Sequence, residues 1–157
     1  MNSILPLKDE NISGLAYLDF APVADVVSID RPWQQEISSA INFAPTKSFY
    51  RLAFSMESGK FSAPEEKSSS GSIHKAEVIG FTPKMQRATS DLFSEMRENL
   101  FVVVATDHNG NKRLVGTLKE PMRFSFAEST EAAYGVRQGY AWAFRRDLMD
   151  PPPYYTA

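Results

Sequence analysis

The stretch Leu100-Phe-Val-Val-Val-Ala-Thr-Asp-His-Asn-Gly-Asn-Lys-Arg-Leu-Val-Gly-Thr-Leu118 decides the fold. Leu100 to Thr106 is a nearly continuous apolar run, the pattern of a strand covered on both faces. Asp107-His108-Asn109-Gly110-Asn111 follows, and Asn-Gly between two strand-like runs is the strongest short-range hairpin signal. Lys112 to Leu118 is the return strand.

Upstream lies the one strong helix signal, Pro83 to Asn99. Thr82 is placed to cap it, and Pro83 suits the first helical position, where a missing N–H costs nothing. Met85, Ala88, Leu92 and Met96 make one stripe with Phe93 beside it, and Asn99 is a terminator. Ile73 to Thr82 is the strand before the helix.

Downstream, Pro121 breaks the chain, and Met122 to Ala127 alternates with Met122, Phe124 and Phe126 on one face. Glu128 to Gln138 is a polar connection. Gly139 to Arg146 is the last strand, with Tyr140, Trp142 and Phe144 on one face and Ala141, Ala143 and Arg145 on the other.

The N-terminal half reads less regularly. Ile12 to Phe20 alternates, with Ala16, Leu18 and Phe20 opposed to Tyr17 and Asp19. Pro22 interrupts it, and the β-branched Val23 to Ile29 reads as a second or edge strand. Asp30-Arg31-Pro32 is a turn. Trp33 to Phe43 reads either as a short helix, from the spacing of Ile37, Ala40 and Ile41, or as a loop with an extended tail. Ser48 to Met56 is a strand with Tyr50, Leu52, Phe54 and Met56 on one face. Glu57 to Ser72 carries two glycines, a proline, five charges and six serines, and is expected as a mobile surface loop. The C-terminal arm, about residues 147–157, ends in Pro151-Pro152-Pro153-Tyr154-Tyr155.

These elements define an α+β, mainly β class. The expected architecture is an antiparallel β-sandwich or small open barrel, with one central amphipathic helix at about 83–99. The 157 residues fit a single domain, and 43% apolar content supplies one core. Without cysteine there is no disulfide, zinc ribbon or thiol chemistry, which leans toward a reducing compartment. Seventeen Lys+Arg against 19 Asp+Glu leave no clustered basic face for nucleic acid. Lys8, Asp9, Glu10 and Asn11 interrupt any signal-peptide core, and no window is apolar enough to span a membrane. The expected place is cytoplasmic when made, followed by incorporation into a virion.

Candidate chemistry is sparse. There are two histidines, and His108, beside Asp107, reads as turn composition. His74 reads as a structural residue on a strand face. No Gly-x-Ser-x-Gly elbow occurs, and Asp91/Glu95 and Glu65-Glu66 read as solvated pairs rather than acid–base dyads. Gly80-Phe81-Thr82-Pro83 has one glycine, too few for a phosphate cradle. No catalytic residue, metal ligand or cofactor site is expected.

Pro151, Pro152, Pro153 and Tyr154 form a Pro-Pro-x-Tyr match, a preformed extended segment suited to docking. With Tyr155, Trp142 and Arg145 they are the candidate interaction residues. The strand order Lys75-Ala-Glu-Val-Ile-Gly-Phe-Thr-Pro-Lys, Phe101-Val-Val-Val-Ala-Thr-Asp-His-Asn-Gly-Asn-Lys-Arg-Leu-Val-Gly and Arg137-Gln-Gly-Tyr-Ala-Trp-Ala-Phe resembles small uncharacterised proteins of tailed phages and prophages. Those proteins, of Bacteroidetes type especially, are encoded near tail or neck genes. The likeness covers roughly residues 73–146 and implies a virion structural protein that assembles into a ring or tube. It carries over no functional residue. The expected function is therefore assembly through subunit contacts, with itself and other structural proteins as partners. A monomeric module that binds a peptide or carbohydrate on the aromatic strand face around Trp142 is the second reading. An enzyme built on Asp107, His108 and Arg113 is the third.

Overall fold

The computed structural model describes residues 12–130 and 138–157. The chain's first residues and most of the Glu128–Gln138 connection lie outside them. In chain order the elements are β1 (Leu15–Pro22), a 3-10 turn (Val23–Asp25), β2 (Val26–Ser28), β3 (Glu36–Ile37), β4 (Asn42–Phe43), β5 (Tyr50–Arg51), β6 (Lys60–Ser62), β7 (Glu65–Ser68) and β8 (Gly71–Pro83). Then come α1 (Arg87–Arg97), β9 (Leu100–Asp107), β10 (Lys112–Val115), β11 (Met122–Ser129), β12 (Gly139–Leu148) and β13 (Tyr154–Tyr155). The class is α+β and mainly β.

β9 is the two-faced strand that its apolar run implied. Phe101, Val103 and Ala105 belong to one buried cluster, and Val102 and Val104 to another. β1 follows one edge of β9 from Phe101 to Asp107. The other edge is shared: β10 pairs with Val103–Thr106 and β11 with Leu100–Phe101. The jog between them is made at Gly116, whose φ of +85° suits glycine and whose missing side chain leaves room for Met122.

From β11 the sheet continues through β12 and β8 to β6. The β8–β12 ladder runs unbroken from Pro83↔Gly139 to His74↔Leu148. The sheet curls until its two ends nearly meet, because Leu15 donates its N–H to the Gly59 carbonyl at 3.1 Å, one residue before β6. The result is a small open barrel. Its interior is aromatic: Phe20, Phe93, Phe101, Phe124, Tyr140, Trp142 and Phe144 are all within the main cluster. At roughly 25 cal/mol per Å², a ring removing about 200 Å² from water contributes about 5 kcal/mol before ordering entropy is subtracted. This interior therefore dominates the stability.

The hairpin tip is built by Asp107. Its Oδ1 accepts the N–H groups of Asn109 (2.8 Å) and Asn111 (2.9 Å), and Gly110 takes φ +83°. A left-handed glycine closing a three-residue loop is a common hairpin form.

Several expectations are corrected. Of the two readings of Trp33 to Phe43, the helix fails and the loop with an extended tail holds, the tail being β4. Gln34 and Gln35 sit at φ +49° and +64°, and Trp33 and Glu36 exchange backbone hydrogen bonds at 2.8 and 2.9 Å, so the chain turns tightly there. Ile37 and Ile41 are buried as separate anchors, not as one helical stripe. Ser48 to Met56 is a strand only at Tyr50–Arg51; Leu52 and Phe54 still point inward, but Met56 is 78% exposed. Glu57 to Ser72, expected as a loop, contains β6 and β7, both paired with β8.

The helix begins later than Pro83. Thr82 does not cap it; its hydroxyl donates to the Ala53 carbonyl (2.7 Å) and accepts from Trp142 Nε1 (3.0 Å). The helix start is tied down by Tyr140 instead. The Tyr140 hydroxyl donates to the Gln86 carbonyl (3.0 Å) and accepts the Gln86 N–H (3.2 Å). The buried stripe is Phe93 and Met96, whereas Leu92 is half exposed, so the apolar face is rotated from the expected one. Asn99 does end the helix, with Nδ2 donating to the Glu95 carbonyl at 2.9 Å.

Candidate functional site

The residues singled out from the sequence gather at two clefts: Trp142 and Arg145 border one, and Asp107, Arg113 and Tyr154 border the other. Trp142 is 2% exposed and faces the barrel interior, edge-on to Phe54 and Phe144. Gly80, its neighbour across the β8–β12 ladder, gives the ring the room a side chain would take. The aromatic face of β12 is thus largely core, although Trp142, with Phe81 and Phe126, still borders a cleft of about 510 Å³. Arg145 lies on the opposite, exposed face of β12, where it pairs with Glu77 and reaches Ser125.

The proline-tyrosine tail, read as an extended arm suited to docking, is folded onto its own chain. Pro152 is buried, and its carbonyl accepts from Arg113 Nη1 at 2.9 Å. The Pro153 carbonyl accepts the Leu114 N–H at 3.0 Å. β13 then lies between β10 and β3, running parallel to β3. The Arg113 guanidinium sits 3.5 Å over the Tyr154 ring. Tyr155 fills the outer cluster beside Val102, Val104 and Leu114, and its hydroxyl accepts the Ile41 N–H at 3.4 Å. Only Pro151 of the three prolines is fully exposed.

Asp107, His108 and Arg113 are not united in a reactive constellation. Asp107 and Arg113 both border a cleft of about 300 Å³, but His108 does not. The Asp107 oxygens are taken up by the hairpin, with Asn111 Nδ2 adding a third donor at 3.0 Å. Arg113 is held by Tyr154 and Pro152. His108 meets the residue before β1 through its backbone, donating its N–H to the Gly14 carbonyl at 3.4 Å. His74 sits half-buried on β8 opposite Leu148. Among the described residues no group of three or more His, Asp and Glu is placed to hold a metal ion, and no helix is long and apolar enough to cross a membrane.

The feature missed from the sequence is the β7–β8 hairpin. Glu65↔His74, Glu66↔Ile73, Lys67↔Ser72 and Ser68↔Gly71 are paired, and every residue from Pro64 to Ile73 is exposed. Its tip closes through Ser68 Oγ, which donates to the Gly71 carbonyl at 3.1 Å, with Gly71 at φ +131°. Lys75 and Glu66 brace its base at 3.0 Å. The Glu66 carboxylate raises the Lys75 pKa above the usual lysine value, by hydrogen bond and then by charge. The Ser-Gly turn between Glu65–Ser68 and Ile73 was the available signal. Its weight was lost in the polar composition around it.

No family model, curated protein or solved structure matches the chain. The hairpin and the cleft are therefore read from their own geometry.

Proposed function

We propose that this chain is a non-enzymatic structural protein that works through subunit–subunit contacts, as a tail-tube, tail or neck component of a phage-like particle. One observation carries the reading. The β7–β8 hairpin extends from the barrel with both faces in water, from Pro64 to Ile73. A two-stranded hairpin is marginal by itself in water. Among the described residues β7 pairs with β8 alone, so its outer edge presents a row of backbone donors and acceptors. Such an edge accepts a strand from a neighbour. Ile73, 42% exposed, adds an apolar contact.

A contact between this hairpin and a different surface of the next copy is heterologous. Repeated head to tail, it closes into a ring where the rotation allows. The likeness to phage tail and neck proteins points the same way. The test is solution mass by light scattering after size exclusion, at two protein concentrations. The reading expects a closed oligomer, or growth with concentration. A 17.6 kDa monomer at both concentrations, unchanged by a crowding polymer, would sink self-assembly as the working mode.

A further inference from the structure

The open seam of the barrel holds a second feature, which stands apart from assembly. Where β1 and β6 come closest, the cleft of about 300 Å³ opens between them and the β10–β13 edge. That volume is at the lower end of small-ligand sites, which favour barrel mouths. Leu15, Phe61 and Ala105 supply apolar lining. Its polar border carries two cations, Lys60 and Arg113, and one anion, Asp107.

These three charges do not neutralise one another. Asp107 is committed to the hairpin through three N–H donors. Arg113 spends Nη1 on the Pro152 carbonyl and sits 3.5 Å over the Tyr154 ring, two contacts that restrain its guanidinium. A guanidinium has five N–H donors, so most of its donors remain. The Lys60 ammonium takes part in none of the ion pairs among the described residues. A guanidinium already restrained by two contacts loses less entropy on binding, and its fork matches a carboxylate.

We infer that this cleft binds a small organic anion, a carboxylate joined to a compact apolar body. The carboxylate meets Arg113 and Lys60, and the body lies against Leu15, Phe61 and Ala105. Asp107 on the border disfavours a multiply charged anion, because it adds repulsion for each further negative charge.

The test is an amide-shift titration of the full chain with sodium benzoate, and separately with inorganic phosphate, up to about 10 mM, which reaches millimolar affinities. Saturable shifts at Leu15, Ala105 and Asn111 with benzoate, weaker with phosphate, are expected. Lys60→Gln, on an exposed strand position, should weaken benzoate binding roughly two- to fivefold, the size of one partly exposed ion pair. Phosphate binding as tightly as benzoate would overturn the apolar half of the inference. Failure to saturate, or benzoate binding unaltered by Lys60→Gln, would overturn the site itself.

Discussion

The chain has two segments with the composition of arms, and the structure treats them oppositely. The tail, Asp150–Ala157, carries a proline run and two tyrosines, and it is drawn into the fold: Pro152 and Tyr155 are buried and β13 lies between two strands. Of the serine- and charge-rich stretch 57–72, β6 joins the sheet with Phe61 and Ala63 against the core, whereas Glu65–Ser72 forms the outer part of a hairpin that touches no core. The difference follows from apolar content. Tyr155 brings one large ring to a cluster of small aliphatic side chains, Val102, Val104 and Leu114, that would otherwise face water. Glu65 to Ser72 has nothing of that kind to bury. Backbone pairing then orders the segment without attaching it to the body. A segment ordered but unburied is the better candidate for contact between molecules, and the tail is a structural strap.

The comparison breaks first at the tail. Deleting Asp150–Ala157 removes the Tyr155 ring, the buried Pro152 and the Arg113 stack together. The expected cost is about 4–6 kcal/mol, a fall in Tm on the order of 10 °C or more by circular dichroism. An unchanged Tm would return the tail to the status of an arm. Tyr155→Ala isolates the ring and is expected to cost about 2–4 kcal/mol in urea unfolding, less than a central barrel ring because its pocket lies near the surface. Arg113→Ala loses one charged hydrogen bond and a ring stack, and should cost about 1–2 kcal/mol.

The smallest stability effect is expected at the hairpin. Replacing Glu66–Ile73 by Asn-Gly keeps the Glu65↔His74 pair and removes only exposed residues, so urea unfolding should move by less than about 0.5 kcal/mol. The same variant should lose self-association. A large loss of stability with assembly intact would reverse the roles of the two segments.

The barrel was legible where side-chain periodicity was strong. The Val102-Val103-Val104 run announced a strand buried on both faces, and Tyr140, Trp142 and Phe144 announced an inward face. Their partners were not legible. No local signal says that Thr82 serves Trp142 rather than the helix, or that Tyr140 replaces the cap, because both contacts join residues more than fifty positions apart. The segment 33–43 stayed open between helix and loop because Ile37 and Ile41 have helical spacing, while the positive φ at Gln34 and Gln35 has no signature in glutamine. The tail misled for a related reason. Its Pro-Pro-x-Tyr string is an extended segment wherever it docks, and only the fold supplies β10 and β3 as its groove. The cleft was half visible: Asp107 and Arg113 were noticed, but Lys60 and Phe61 reach it only through barrel closure.

The most direct measurement of the central claim is amide hydrogen exchange at low and high protein concentration. The account predicts that Glu65–His74 exchanges quickly when dilute and gains protection as concentration rises, while Tyr154–Thr156 is protected equally in both. Hairpin amides that exchange at one rate regardless of concentration, or protection gained at the tail instead, would contradict it.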